Sequence, residues 1–199
     1  IAAINLSLGG STYTTKASCQ QASPSTVSAV ATLRNAQIAT VAAAGNDGLT
    51  NAISTPACLP QVLSVGSVGD TDVPSSFSNS ADFLTLLAPG ESIVSAAIGG
   101  GTRTGSGTSM ATPHVAGAFA VIREAAPNAT VDAIENALVL TGKPITDGRN
   151  GITTPRLRID QAIAMLQSGG SNPPAGGGGG GAGATSGGGG GGGCGLVGL

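Results

Sequence analysis

Ser109 carries the hydroxyl in this sequence that is best placed to act as a nucleophile. It lies in the run Gly107-Thr108-Ser109-Met110-Ala111-Thr112-Pro113-His114-Val115-Ala116-Gly117 and opens a stretch of small and apolar residues that predicts a helix. The first N–H groups of a helix are unpaired and mark the positive end of its dipole, so negative charge on an oxygen is stabilised there. A capped core helix, with Thr108 or Ser109 as the N-cap, explains one hydroxyl but not a proline inside the helix.

Asn46 could stabilise the charge that such an attack would create. It follows the apolar run 41–44 and is flanked by Gly45 and Gly48, which permit a tight turn and a close approach of a substrate backbone. Its amide offers two N–H donors to a developing oxyanion. An ordinary Asn-Asp-Gly turn is the alternative. The presence of Ser109 in the same sequence favours the oxyanion role.

A third candidate segment, Ser7-Leu8-Gly9-Gly10, ends a predicted strand with a pair of glycines. An exposed edge at this point could bind an extended peptide through main-chain hydrogen bonds. The alternative is a strand that simply ends in a polar loop.

The elements that would position these residues follow from hydrophobic periodicity. Apolar runs predict strands over 3–8, 38–44, 62–68, 83–87 and 93–97. Helical spacing predicts helices over 25–37, 108–124, 130–140 and 160–167, with Thr130 as an N-cap and Gly142 as a stop. Strands that alternate with helices indicate a layered α/β domain with a parallel sheet.

The three candidate segments resemble the subtilisin-like serine proteases, as do Phe77-Ser78-Asn79 and Ala88-Pro89-Gly90, and the resemblance covers residues 1–166. It implies a three-layer α/β fold with a mostly parallel sheet, and a serine endopeptidase that forms an acyl-enzyme at Ser109. Asn46 and the N–H of Ser109 would then form the oxyanion hole. The substrate-binding residues that it implies are Ser7, Leu8, Gly9, Ala44, Gly45 and Ser54. By position, 42–45 and 54–57 would line a pocket without charges, which favours a small or apolar substrate residue.

The sequence contains one histidine, His114, and it is a poor candidate for the general base. It lies five positions after Ser109, so on a helix it points roughly 140° away from the serine. In the resembled family the triad order is Asp, His, Ser, which would put both missing members before Ile1. We therefore expect residues 1–167 to be the C-terminal part of a peptidase domain, inactive alone. The alternative is a surface-displayed homologue that binds peptides without cleaving them.

Composition and cysteine content limit which partners and cofactors are expected. Charged residues make up 9% of the 199 residues and the net charge is −2 with no basic patch, which argues against a nucleic-acid partner. The partners that the family resemblance implies are polypeptide substrates. We expect a monomer whose chemistry needs no cofactor; no metal-ligand spacing is visible, and structural calcium is left open. Cys19 and Cys58 could be a disulfide or two buried thiols, and expected export favours the disulfide.

The C-terminal region changes character at Ser168. Residues 168–193 are rich in glycine and predict a flexible linker. Cys194 is left without a partner, and apolar residues return over 194–199, which could begin a membrane anchor or a cell-surface sorting signal, or could be a low-complexity end. Up to Gln167 no apolar run is long enough to cross a bilayer. The expected location is therefore secreted or at the cell surface.

Overall fold

A computed structural model describes residues 1–169, so the linker, Cys194 and the predicted anchor segment lie outside the described residues. This part of the chain forms ten strands and five helices. The strands are β1 (Ala3–Leu6), β2 (Thr12–Tyr13), β3 (Ala39–Ala43), β4 (Ile53–Ser54), β5 (Val62–Val68), β6 (Leu86–Pro89), β7 (Ile93–Ala96), β8 (Thr102–Gly105), β9 (Lys143–Thr146) and β10 (Thr153–Arg156). The helices are α1 (Lys16–Ala22), α2 (Pro24–Asn35), α3 (Thr108–Ala125), α4 (Val131–Thr141) and α5 (Ile159–Gln167).

Six strands form the central sheet in the order β1-β3-β5-β6-β10-β9. All neighbouring pairs are parallel except β9 and β10, which are antiparallel. Every residue of β3 and β5 is buried, as expected for central strands of a parallel sheet covered on both faces. The predicted α/β class with a mostly parallel sheet is thus confirmed. Two smaller ribbons, β2-β4 and β7-β8, flank the sheet.

Alternate side chains of each central strand enter two separate cores. Val41 and Val65 pack with Phe119 and Ile122 of α3 and with side chains of α4 and α5. Their neighbours in sequence point to the other face, where Ala42 packs with side chains of α1 and α2. The result is three layers, with α3 buried against the middle of the sheet.

Most of the predicted elements are present, with small shifts at their ends. Helix α4 has the predicted N-cap, because the Thr130 hydroxyl accepts from the Ala133 N–H, and Gly142 ends it. Helix α2 stops before the predicted end because Gln37 adopts a left-handed backbone conformation. The strand predicted at 83–87 is shifted to β6. The pattern did not predict α1, β2, β4, β8, β9 or β10.

The structure joins Cys19 of α1 to Cys58 in a disulfide, with a Cα–Cα distance of 6.0 Å and both side chains fully buried. The bond ties the outer helical layer to the loop that follows β4. Within residues 1–169, none of the helices combines the length and apolar character that crossing a bilayer requires.

Candidate active site

Ser109 is the second residue of α3, at the end of the helix that faces the carboxyl end of β1. The two segments are joined by side chains, since the Ser7 hydroxyl donates to the Ser109 carbonyl at 2.7 Å. The Ser109 hydroxyl donates to the Ser7 carbonyl at the longer distance of 3.4 Å. Among the described residues the Ser109 N–H has no acceptor. Both the hydroxyl and the N–H of Ser109 therefore lie at the open tip of a helix.

The N-cap of α3 is Gly107, and no side chain caps the helix. This differs from the alternative in which Thr108 or Ser109 is the N-cap. Gly107 has a φ of 155°, a conformation that favours glycine, and it turns the chain from β8 into the helix. The Thr108 hydroxyl therefore does not cap the helix and forms a hydrogen bond with Asn46 instead.

Asn46 is fixed by Thr108 through its amide oxygen. The Thr108 N–H and hydroxyl donate to Asn46 Oδ1 at 2.8 and 2.9 Å. Because the oxygen accepts both bonds, the orientation of the amide is set. Within the described part of the chain that NH₂ group has no acceptor, so its two donors remain available.

Asn46 and Ser109 border the same cavity, which has a volume of about 230 Å³. Its lining residues are Leu8, Gly9, Gly10, Ala43, Gly45, Asn46, Asp47, Ser54, Thr108 and Ser109. Residues from two distant segments thus border one space beside the Ser109 hydroxyl. A site that stabilises a tetrahedral oxyanion needs N–H donors that face such a space.

The predicted substrate-binding residues are placed unevenly around this cavity. Leu8, Gly9, Gly45 and Ser54 line it, and Ser7 contacts Ser109 beside it. Ala44 lies behind the wall, fully buried in the core that faces α1 and α2.

The sequence prediction of an uncharged pocket covered Ala43, within the range 42–45, but not Asp47, and both residues border the cavity. Asp47 is exposed at the rim and adds one carboxylate. A strand period of two could have selected Ala43 over Ala44, since alternate residues face opposite sides of the sheet.

His114 is hydrogen-bonded within its own helix and not to Ser109. Its Nδ1 donates to the Met110 carbonyl of the same helix at 2.9 Å. Among residues 1–169 no hydrogen bond joins it to Ser109. An open groove of about 390 Å³ lies on this side of Ser109, lined by Ile93, Val94, Ser95, Ser109, Met110, Pro113 and His114. No general base occupies hydrogen-bonding distance of the Ser109 hydroxyl in the described part of the chain.

No metal centre accompanies the site in the part of the chain that the structure covers. Residues 1–169 contain no group of three or more His, Cys, Asp or Glu side chains that could hold a metal ion.

The fold is of the α/β class that the sequence motifs indicated. Residues 1–165 match the subtilase family, and the chain belongs to that family. It is 39% identical over 158 residues to an extracellular serine proteinase of Thermus sp. (strain Rt41A), which covers 78% of this chain and 36% of that protein. It is 41% identical over 156 residues to subtilisin-like protease 3 of Trichophyton equinum, with the same coverage.

Solved structures give the same result. The patellamide maturation protease PatA superposes with a TM-score of 0.73 at 32% identity, covering 84% of this chain and 64% of that one. The prenylagaramide maturation protease PagA gives a TM-score of 0.73 at 31% identity, covering 83% and 61%. The chain spans about a third of the length of the curated relatives.

Proposed function

We propose that this chain belongs to a serine endopeptidase that cleaves peptide bonds through an acyl-enzyme at Ser109. The observation that carries the proposal is the orientation of Asn46. Its amide oxygen is held by Thr108, its NH₂ group has no acceptor among the described residues, and Asn46 borders the same cavity as Ser109. An amide held in this way needs no reorganisation when negative charge develops.

In the proposed reaction the Ser109 hydroxyl attacks the carbonyl carbon of a bound peptide. The carbonyl oxygen becomes an oxyanion between the Asn46 NH₂ and the Ser109 N–H. Collapse of the tetrahedral intermediate releases the amine and leaves an ester, which water then hydrolyses. Removal of one such donor from a subtilisin costs about 2.7–4 kcal/mol of transition-state stabilisation, so Asn46 carries a large share of the rate.

The proton of Ser109 requires a general base that residues 1–169 do not place within reach. His114 is engaged with the Met110 carbonyl. The proposed histidine and its orienting aspartate therefore come from sequence outside this chain, and the groove between β7 and α3 offers space beside Ser109. By itself the chain would retain only the catalysis that remains when triad members are lost, about 10³–10⁴-fold over water.

The proposed substrates are polypeptides in an extended conformation. The carboxyl end of β1 and the two glycines that follow it border the cavity next to Ser109, where a peptide backbone could pair with them. Small uncharged walls favour a small or apolar residue before the cleaved bond, and Asp47 at the rim tolerates a basic one nearby. We place the protease in a secreted or cell-surface setting, supported by the buried disulfide and by an extracellular relative.

The test is covalent labelling of the full-length protein with a fluorophosphonate probe. We expect the wild type to be labelled on Ser109 and the Ser109→Ala variant to remain unlabelled. Ser28→Ala is the matched control, because Ser28 is exposed on α2 away from the cavity, and it should label like the wild type. Labelling that persists in Ser109→Ala removes Ser109 from the nucleophile role. A folded full-length protein that is never labelled supports the peptide-binding homologue instead.

A further inference from the structure

Asn79 belongs to a sequence motif, Phe77-Ser78-Asn79, to which the proposed chemistry gives no role. Its side chain is completely buried. Oδ1 accepts from the N–H groups of Asp47 and Leu49, both at 3.0 Å. Nδ2 lies 3.2 Å from the Ala44 carbonyl and 3.1 Å from a carboxylate oxygen of Asp47. Nδ2 also lies 3.4 Å from the Ser54 hydroxyl. This buried amide therefore makes four of its five contacts with the segment that surrounds Asn46.

The backbone around Asn79 holds the same segment, residues 45–49, which we call the oxyanion loop. The Asn79 N–H donates to the Gly45 carbonyl at 3.0 Å. The Gly48 N–H donates to the Phe77 carbonyl at 2.8 Å, and the Ser80 N–H donates to the Leu49 carbonyl at 2.7 Å. The loop is thus attached along its length to residues 77–80.

Asn46 itself makes none of these contacts, because its side chain turns the other way, to Thr108. Its neighbours Gly45 and Asp47 are the residues that Asn79 binds. Gly45 has a φ of 108°, and a Cβ there would collide with the Asn79 amide, so the loop and Asn79 are in close contact. The position of the Asn46 backbone therefore depends on Asn79 from one side and on Thr108 from the other.

The segment that carries Asn79 is itself held by the loop at residues 147–150. Arg149 donates to the carbonyls of Ser76 and Ser78 at 2.8 and 2.9 Å, on either side of Phe77. Asn150 Nδ2 donates to the Ser80 hydroxyl at 3.0 Å. The segment that carries Asn79 is therefore fixed before any substrate binds.

We propose that Asn79 is a positioning residue that holds the oxyanion loop so that the Asn46 amide meets the developing oxyanion. This inference rests on the proposed function and assigns Asn79 no contact with substrate. The reasoning is geometric. An oxyanion donor acts only within about 2.7–3.1 Å of the oxygen, so a small shift of the loop removes much of its effect.

The test is a double-mutant cycle in the full-length protease. Asn79→Ala should lower kcat by roughly 10–100-fold with little change in KM, bounded by the 10²–10³-fold effect of removing the donor itself. In an Asn46→Ala background the same change should lower kcat less than 3-fold, because the donor that it positions is already gone. Equal losses in both backgrounds overturn the proposal. Asn51→Ala, at an exposed asparagine just beyond the loop, is the control and should match the wild type.

A second measurement does not depend on activity. Amide hydrogen exchange of Asp47 and Leu49 should accelerate at least 10-fold in Asn79→Ala, since their acceptor is removed. If Asn79→Ala does not fold, Asn79→Ser is measured instead. In that variant the exchange of the two amides should accelerate by a smaller factor. Unchanged exchange at both amides overturns the proposal even in an active protease. A wild type without protease activity refutes the proposed function, while faster exchange would still show that Asn79 holds the loop.

Discussion

Replacing Arg149 with methionine tests the support behind the proposed oxyanion loop. Arg149 Nε donates to one Asp147 carboxylate oxygen at 2.9 Å, and Nη2 donates to the other at 2.6 Å. The same guanidinium donates to the Ser76 and Ser78 carbonyls. The Asp147 side chain is only 7% exposed, whereas that of Arg149 is 26% exposed. Methionine keeps most of the aliphatic volume and removes all of these donors.

The expected loss can be bounded from these contacts. Breaking a fully buried ion pair by removing one partner costs about 3–5 kcal/mol. Since Arg149 is partly solvated, water can replace some of the lost bonds, and we expect about 2–4 kcal/mol. For a domain of this size each kcal/mol shifts Tm by roughly 2–4 °C, so a loss near the middle of that range lowers Tm by roughly 6–12 °C.

The loss should also depend on pH. Hydrogen bonds from Arg149 hold the pKa of Asp147 below its usual range, against the opposing effect of burial. A carboxyl whose pKa is lower in the folded protein stabilises the fold above its unfolded pKa, about 3.9, and loses that contribution as the pH falls through the folded value. The difference between wild type and Arg149→Met should therefore be full at pH 7 and shrink below pH 4.

Thermal unfolding followed by circular dichroism measures both effects. A Ser109→Ala background prevents self-digestion during heating. Arg158→Met is the matched control, because Arg158 is exposed and its replacement should cost less than about 0.5 kcal/mol. A Tm at pH 7 within 2 °C of the wild type, or a difference that stays constant down to pH 3, would refute this reasoning.

Three further changes test other parts of the structure. Replacing Cys19 and Cys58 with alanine should cost up to about 4 kcal/mol in urea unfolding, since the disulfide closes a loop with a sequence separation of 39. Gly45→Ala should lower kcat for peptide hydrolysis by at least about 10-fold, because the added methyl group would collide with two buried side chains that support the oxyanion loop. Asp72→Asn breaks ion pairs to β9 and β10 but should cost less than about 1 kcal/mol, an effect that 1 M salt should abolish.

The parts of the fold that could be predicted are those with a strong local signal. Helix α4 has a hydroxyl at its start, a glycine at its end and a continuous apolar face between them, so its position and length were both predictable. Strands β9 and β10 carry no such signal. Pro144 and Pro155 face each other in this antiparallel pair, and proline inside a run normally argues against a strand. Strand β10 joins the sheet by pairing with β6, a partner distant in sequence that no local pattern identifies.

In the candidate site, too, the local features could be predicted from the sequence and the long-range contacts could not. The serine at a helix start and the asparagine at a strand end are local features, and the family resemblance joined them. The hydrogen bonds that hold the segment around Asn46 are not local, since Asn79 binds residues 30 to 35 positions earlier in the sequence. Local rules even mislead at Thr108, which a helix-capping preference would assign to the N-cap.

The structure uses Thr108 differently, and the difference has a physical reason. A side-chain cap satisfies the first free N–H groups of a helix and is worth about 1 kcal/mol. Here Gly107 occupies the N-cap and the Thr108 hydroxyl donates to Asn46 instead. Without a side-chain cap, the Ser109 N–H has no acceptor among the described residues. In the proposed reaction, the uncapped Ser109 N–H and the Asn46 amide donate to the same oxyanion, and the helix start lacks the stabilisation of a side-chain cap in return.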